Sequence, residues 1–143
     1  MSGAAHPAEN SRELRFERHF AHPVDKVWRA VTDPEHLGRW YPFRVARLDP
    51  QRGGTILFRD DEGTELRAEV TEMVPSKVFA FREFDDETGT HDLRFELEPD
   101  GGGCRLTFTH TFTDTPWAVQ YETGWQSCLD ALAHVLDGAA EAP

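Results

Sequence analysis

Long apolar runs are missing from this sequence, and no segment approaches the roughly 20 apolar residues that a membrane-spanning helix needs. Basic residues are scarce beside acidic ones, 15 Lys and Arg against 26 Asp and Glu, for a formal charge of −11. A surface of that sign repels phosphate backbones and anionic headgroups, and no Lys/Arg run interrupts it. Nucleic acid and membrane are therefore not expected partners. Cysteine is limited to Cys104 and Cys128, which have no CxxC spacing. That excludes a disulfide framework and leaves reduced core thiols as the expectation. The histidines lack HExxH or related spacing, and the acidic turns at Asp60–Glu62 and Asp85–Glu87 lack the regular spacing of a calcium loop. Ser127, Asp130 and His134 share one helical stretch but have neither a nucleophile elbow nor an oxyanion loop. Neither a metal nor a cofactor is expected, and no catalytic residue is assigned. Residues 1–13 are small and polar, without the apolar core or basic start of a secretion signal. A disordered tail and a cytoplasmic location follow as expectations.

What the sequence does have is aromatic bulk. Ten Phe and four Trp in 143 residues supply the area for one packed core, and the length suits one domain, expected over 14–138 with a frayed tail at 139–143. Leu14 to Phe20 alternates apolar and charged residues, the mark of a half-buried strand. Pro23 opens a helix whose face is Val24, Val27, Trp28 and Val31; Asp33-Pro34 ends it and starts a second short helix carrying Leu37 and Trp40. From Phe43 to Phe112, turn chemistry recurs at Pro50–Gly54, Asp60–Gly63, Pro75-Ser76, Asp85–Gly89 and Asp100–Gly103, which predicts successive antiparallel hairpins. On the last strand Cys104, Leu106, Phe108, His110 and Phe112 share the apolar register, so His110 is expected to point inward. A long helix then runs from an Asp114-Thr115 cap to Gly138, with Trp117, Tyr121, Trp125, Cys128, Leu129, Leu132, Val135 and Leu136 on one side. The whole is an α+β helix-grip fold, in which a curved antiparallel sheet wraps a long C-terminal helix in the order β-α-α-β6-α.

Several of these residues also carry a family likeness. Pro23, Val27-Trp28, Ala30 to Glu35, Leu37 and Trp40, then Gly53-Gly54 with Phe58, then Gly124-Trp125 with Leu129, Leu132 and Leu136, resemble the SRPBCC or START-like (birch-pollen-allergen-like) superfamily. Within it the chain is most similar to the group of the C-terminal domain of activators of the heat-shock protein 90 ATPase. The resemblance covers all but the two tails. It implies a strand, two helices, six strands and a long helix, with activities that range over lipid or small-molecule binding, polyketide cyclisation, stress-linked roles and chaperone stimulation. It lends no catalytic residue, because the matching positions are scaffold.

A curved sheet and a long helix leave a concave apolar space, and such spaces bind small ligands. The expected lining is Trp28 and Trp40 from the short helices, Phe58, Ala68, Phe81, Phe95, Phe108 and His110 from the strands, and Trp117, Tyr121, Trp125 and Cys128 from the last helix. The leading expectation is a hydrophobic or amphipathic small molecule held there. A cyclase-like or hydrolase-like enzyme using His110 with Tyr121, and an interaction module for a chaperone or other protein, are the alternatives. A satisfied core histidine, held by Tyr121 or backbone, is the plainer expectation for His110. Gly124 inside a helix is expected to mark close approach to the short helices, or room for a ligand. Arg82 and Glu83 interrupt an apolar strand, and both heads are expected to reach solvent.

Overall fold

The computed structural model describes residues 11–138. The tails expected at 1–10 and 139–143 lie outside them, and residues 11–13, expected in the tail, already belong to the first strand. In chain order the elements are β1 Ser11–Phe20, α1 Val24–Thr32, α2 Pro34–Leu37, β2 Arg44–Leu48, β3 Thr55–Arg59, β4 Glu65–Val74, β5 Val78–Asp85, β6 Gly89–Asp100, β7 Gly103–Thr113 and α3 Ala118–Leu136. All strands join one antiparallel sheet in the order β1-β7-β6-β5-β4-β3-β2, so the chain meanders from β2 to β7 and β1 closes the far edge beside β7. The sheet curves around α3.

Local chemistry explains the breaks. The Asp33 carboxylate accepts from the backbone N–H of Glu35 at 3.0 Å and of His36 at 3.3 Å, capping α2 while Pro34 fills its first turn. Trp40 is buried, and its indole N–H donates to the Ala30 carbonyl at 2.8 Å, pinning the end of α2 against α1. The Gly53-Gly54 pair serves two separate ends. Gly53 has φ of 84°, which glycine adopts without strain, and at Gly54 a Cβ would collide with the Asp49 backbone and side chain. The cap expected at Asp114-Thr115 forms later. Helix α3 starts at Ala118 with Trp117 as a cap lacking any side-chain bond, so it has 19 residues and spans about 29 Å.

The register stacks inward side chains into rungs across the sheet. One rung runs Phe79, Phe95, Phe108 and Phe16; the next runs Phe81, Leu93, His110 and Leu14; the third runs Ala68, Glu83, His91 and Phe112. Because alternate residues share a face, each rung lies about 7 Å beyond the last. The first rung is wholly aromatic: its Phe79, Phe95 and Phe108, with Leu129, Leu132 and Leu136 of α3 and Val27 and Val31 of α1, lie in the sealed core, and Phe16 packs half-buried against them. Polarity enters at the second rung and grows at the third.

Candidate functional site

A pocket of about 350 Å³ opens beyond the sealed core, between the first half of α3, the segment after α2, and the ends of β4 to β7. Tyr41, Pro42 and Phe43 form one wall, and Tyr121, Trp125 and Cys128 of α3 the opposite one. Leu66, Glu83 and His91 contribute from the strands, and Gln120 and Gly124 stand at the exposed rim.

Two hydrogen-bonded groups polarise this space. In the first, the Tyr41 hydroxyl donates to Oε2 of Glu83 at 2.5 Å. Glu83 is in phase with Phe79 and Phe81, so its head is carried inward and only 8% exposed. This corrects the expectation that both heads reach solvent: Arg82 alone faces outward, where it pairs with Asp92 through bonds of 2.7 and 3.2 Å. Burial, which outweighs the bond from Tyr41, raises the Glu83 carboxyl from 4.5 to about 7, and the nearby Asp85 adds to the rise. Burial likewise pushes the Tyr41 phenol well above its ordinary value, with the Glu83 charge second.

The second group is a directed chain. The Trp125 indole N–H donates to Nδ1 of His110 at 2.9 Å, Nε2 of His110 meets Nδ1 of His91 at 2.9 Å, and Nε2 of His91 meets the Thr88 hydroxyl at 2.6 Å. An indole can only donate. Nδ1 of His110 must therefore be the unprotonated nitrogen, Nε2 carries the hydrogen toward His91, and His91 in turn donates to Thr88. Adding a proton to either ring breaks a bond in the chain. Burial, with His91 second, lowers the His110 imidazole to about 3, and burial lowers His91 as well. Beyond Thr88, burial raises the Asp85 carboxyl, but the backbone N–H groups of Thr88 and Glu87 and the Thr88 side chain outweigh it and hold Asp85 below its ordinary value.

Of the sequence-expected lining, His110, Tyr121, Trp125 and Cys128 border the pocket. Phe58, Ala68, Phe81, Phe95 and Phe108 lie in the sealed core, as does Trp40. They belong to lower rungs or to strands whose inward faces are already packed, so they support the pocket from behind. Trp117 precedes α3 and is 56% exposed. Trp28 lies on a separate surface groove with Asp25 and Arg29. His110 is inward, as expected, but its partners are Trp125 and His91. Both of its nitrogens are engaged and neither meets Tyr121, whose ring only packs against it at 5.5 Å. That arrangement leaves His110 no free nitrogen for acid–base work. Of the two expectations for Gly124, close approach to the short helices is corrected: a Cβ there would meet nothing within 4 Å, and the residue lines the pocket.

An antiparallel sheet gripping a C-terminal helix, with a pocket where the two part, defines a START-like helix-grip protein. The chain belongs to the family described as Activator of Hsp90 ATPase homolog 1-like protein, whose model matches residues 21–137. No curated protein matched it. Among solved structures it is similar to CalU16 from Micromonospora echinospora, with TM-score 0.80 and 23% identity over 94% of this chain and 80% of that one. DynU16, described as a putative protein in the dynemicin biosynthetic locus, is similar with TM-score 0.77 and 23% identity, over 87% of this chain and 47% of that one. The solution structure of the Aha1 dimer from Colwellia psychrerythraea matches with TM-score 0.76 and 20% identity, over 90% of this chain and 98% of that one. At these identities the likeness is one of fold.

Proposed function

We propose that this domain binds a hydrophobic or amphipathic small molecule in the pocket between α3 and the sheet. The observation that carries the reading is the pocket itself: about 350 Å³, walled by Tyr41, Phe43, Tyr121 and Trp125, with a few oriented polar groups. That volume falls in the range of small-molecule sites, and aromatic walls with sparse polar anchors are their usual composition. Similarity to CalU16 and DynU16 supports the reading only through the shared fold.

Native mass spectrometry of freshly purified protein tests whether a small molecule travels with it. Titration with the neutral dye N-phenyl-1-naphthylamine tests the location. Gly124→Trp places an indole at the rim where nothing obstructs it, and should weaken dye binding at least ~10-fold, whereas the exposed Gln126→Trp should not. Equal binding by both variants, each with wild-type circular dichroism, would place the dye elsewhere and remove the proposal.

A second reading, a module that contacts a chaperone or another protein, is supported by Trp117 and Val119, 56% and 68% exposed at the start of α3. A partner seated there would be lost from pull-downs with Trp117→Ser and would tolerate salt. One held by the acidic surface would weaken sharply as salt rises.

A further inference from the structure

The pocket's charged groups share one sign. Glu83 and Asp85 are its carboxylates, and its lining contains neither Lys nor Arg. The two histidines cannot supply positive charge, because protonating either ring breaks the chain that runs from Trp125 to Thr88. Glu83 uses one oxygen on Tyr41. Its Oε1 bonds to no described residue, and it is not among the sealed polar atoms that lack a partner, so it is reachable from the pocket. A buried carboxylate with one oxygen unpaired among the described residues is only partly compensated, and a cation brought to that oxygen relieves the deficit. The same pocket is lined by Tyr41, Phe43, Tyr121 and Trp125, aromatic rings of the kind that attract cations and apolar groups alike.

We propose that the pocket selects an amphipathic amine, its ammonium seated on Oε1 of Glu83 and its apolar body against Trp125, Tyr121 and Phe43. This rests on the small-molecule reading above and assigns the ligand's chemical class. Carboxylates and phosphates are disfavoured by the same carboxyl group. A neutral alcohol can donate one hydrogen bond to Oε1 but brings no charge to offset the buried anion.

Three probes of one shape separate these cases: 1-naphthylmethylamine, 1-naphthylmethanol and 1-naphthoate, titrated calorimetrically at pH 8. The amine should bind at least ~10-fold tighter than the alcohol, and the naphthoate at least ~10-fold weaker than the alcohol. Glu83→Gln keeps the size and an acceptor for Tyr41. It should bring the amine within about 3-fold of the alcohol, and wild-type circular dichroism of the variant reports that it is folded. In the wild type the preference for amine should shrink between pH 8 and pH 6, because Glu83, raised to about 7, takes up its proton across that range. The other groups facing it hold their states there. Tyr41 is raised well above 10.0, and Cys128 on α3 is raised to about 11. Asp85 on β5, held below its ordinary value, stays ionised, and His110 on β7, lowered to about 3, stays neutral; burial lowers His91 on β6, and protonating it would break its bond to His110. Equal affinities for amine and alcohol in the wild type, or an undiminished preference in Glu83→Gln, would overturn the inference and leave the pocket reading standing. If none of the three probes bound or shifted the Trp125 indole resonance, both readings would fall.

Discussion

Replacing Glu83 with Gln should make the protein more stable at neutral and alkaline pH, the reverse of what removing a hydrogen-bonded residue usually does. In the folded state the Glu83 carboxyl keeps its proton up to about 7, whereas its ordinary value is 4.5. Between those values the folded chain binds more protons than the unfolded chain. Wild-type stability therefore falls as pH rises through that window and levels off above it. Each pH unit of difference corresponds to 1.36 kcal/mol, so the ionisation penalty saturates at about 3 kcal/mol. Glutamine has no proton to lose, and its amide oxygen still accepts from Tyr41. Urea unfolding followed by tryptophan fluorescence, run on both proteins from pH 4.5 to 8.5, isolates the effect because every other titrating group cancels in the difference. The stability of Glu83→Gln relative to wild type should climb by about 3 kcal/mol from the acid end and flatten above pH 7.5. A difference that does not vary with pH would refute the reasoning and show that Glu83 ionises in the folded protein as it does in solvent.

Two further outcomes follow from the same wall. Trp125→Phe removes the donor that occupies Nδ1 of His110, so the imidazole should become easier to protonate and its titration, read from the ring resonances, should move up from about 3, while burial and His91 keep it below 6.5. An unmoved midpoint would mean that the indole does not fix the tautomer. In the wild type His110 stays neutral while the unfolded chain takes up a proton, so this residue makes stability fall as pH drops below 6.5 toward 3. Gly124→Ala should stabilise α3 by about 0.5–1 kcal/mol in urea melts, because it removes the helix penalty of glycine and the new methyl group meets nothing within 4 Å. A loss of stability would contradict the open rim.

The order of elements was legible from period and punctuation. Alternation at Leu93, Phe95 and Leu97 located β6, Asp33-Pro34 separated the two short helices, and turns rich in glycine or, at Pro75-Ser76, marked by proline separated the strands. The site was only half legible, for a geometrical reason. Period two tells which face a residue takes but not how far along the strand the core ends and the pocket begins. Phe95 and His91 share a face on β6 and lie two rungs apart, about 13 Å along the strand. Aromatic size favoured the first, and the chemistry lies at the second. Glu83 was within reach of the same pattern, since it continues the phase of Phe79 and Phe81. The expectation that its charged head reaches solvent concealed that. Tyr41 and Trp125 could not be paired with their partners from sequence, because Tyr41 is 42 residues from Glu83 and Trp125 is 15 from His110, and the sheet curvature brings them together.

A hydrogen-bonded row that includes two imidazoles invites comparison with a proton wire, yet this one cannot conduct. Passing a proton along a row requires every member to accept on one side as it gives on the other, and the terminal indole has nothing to accept with. The row from Trp125 to Thr88 thus has one permitted polarity, and its bond dipoles add toward Asp85. Two residues that elsewhere shuttle protons are held as fixed dipoles in the pocket wall, beside Glu83, whose own titration is raised to about 7.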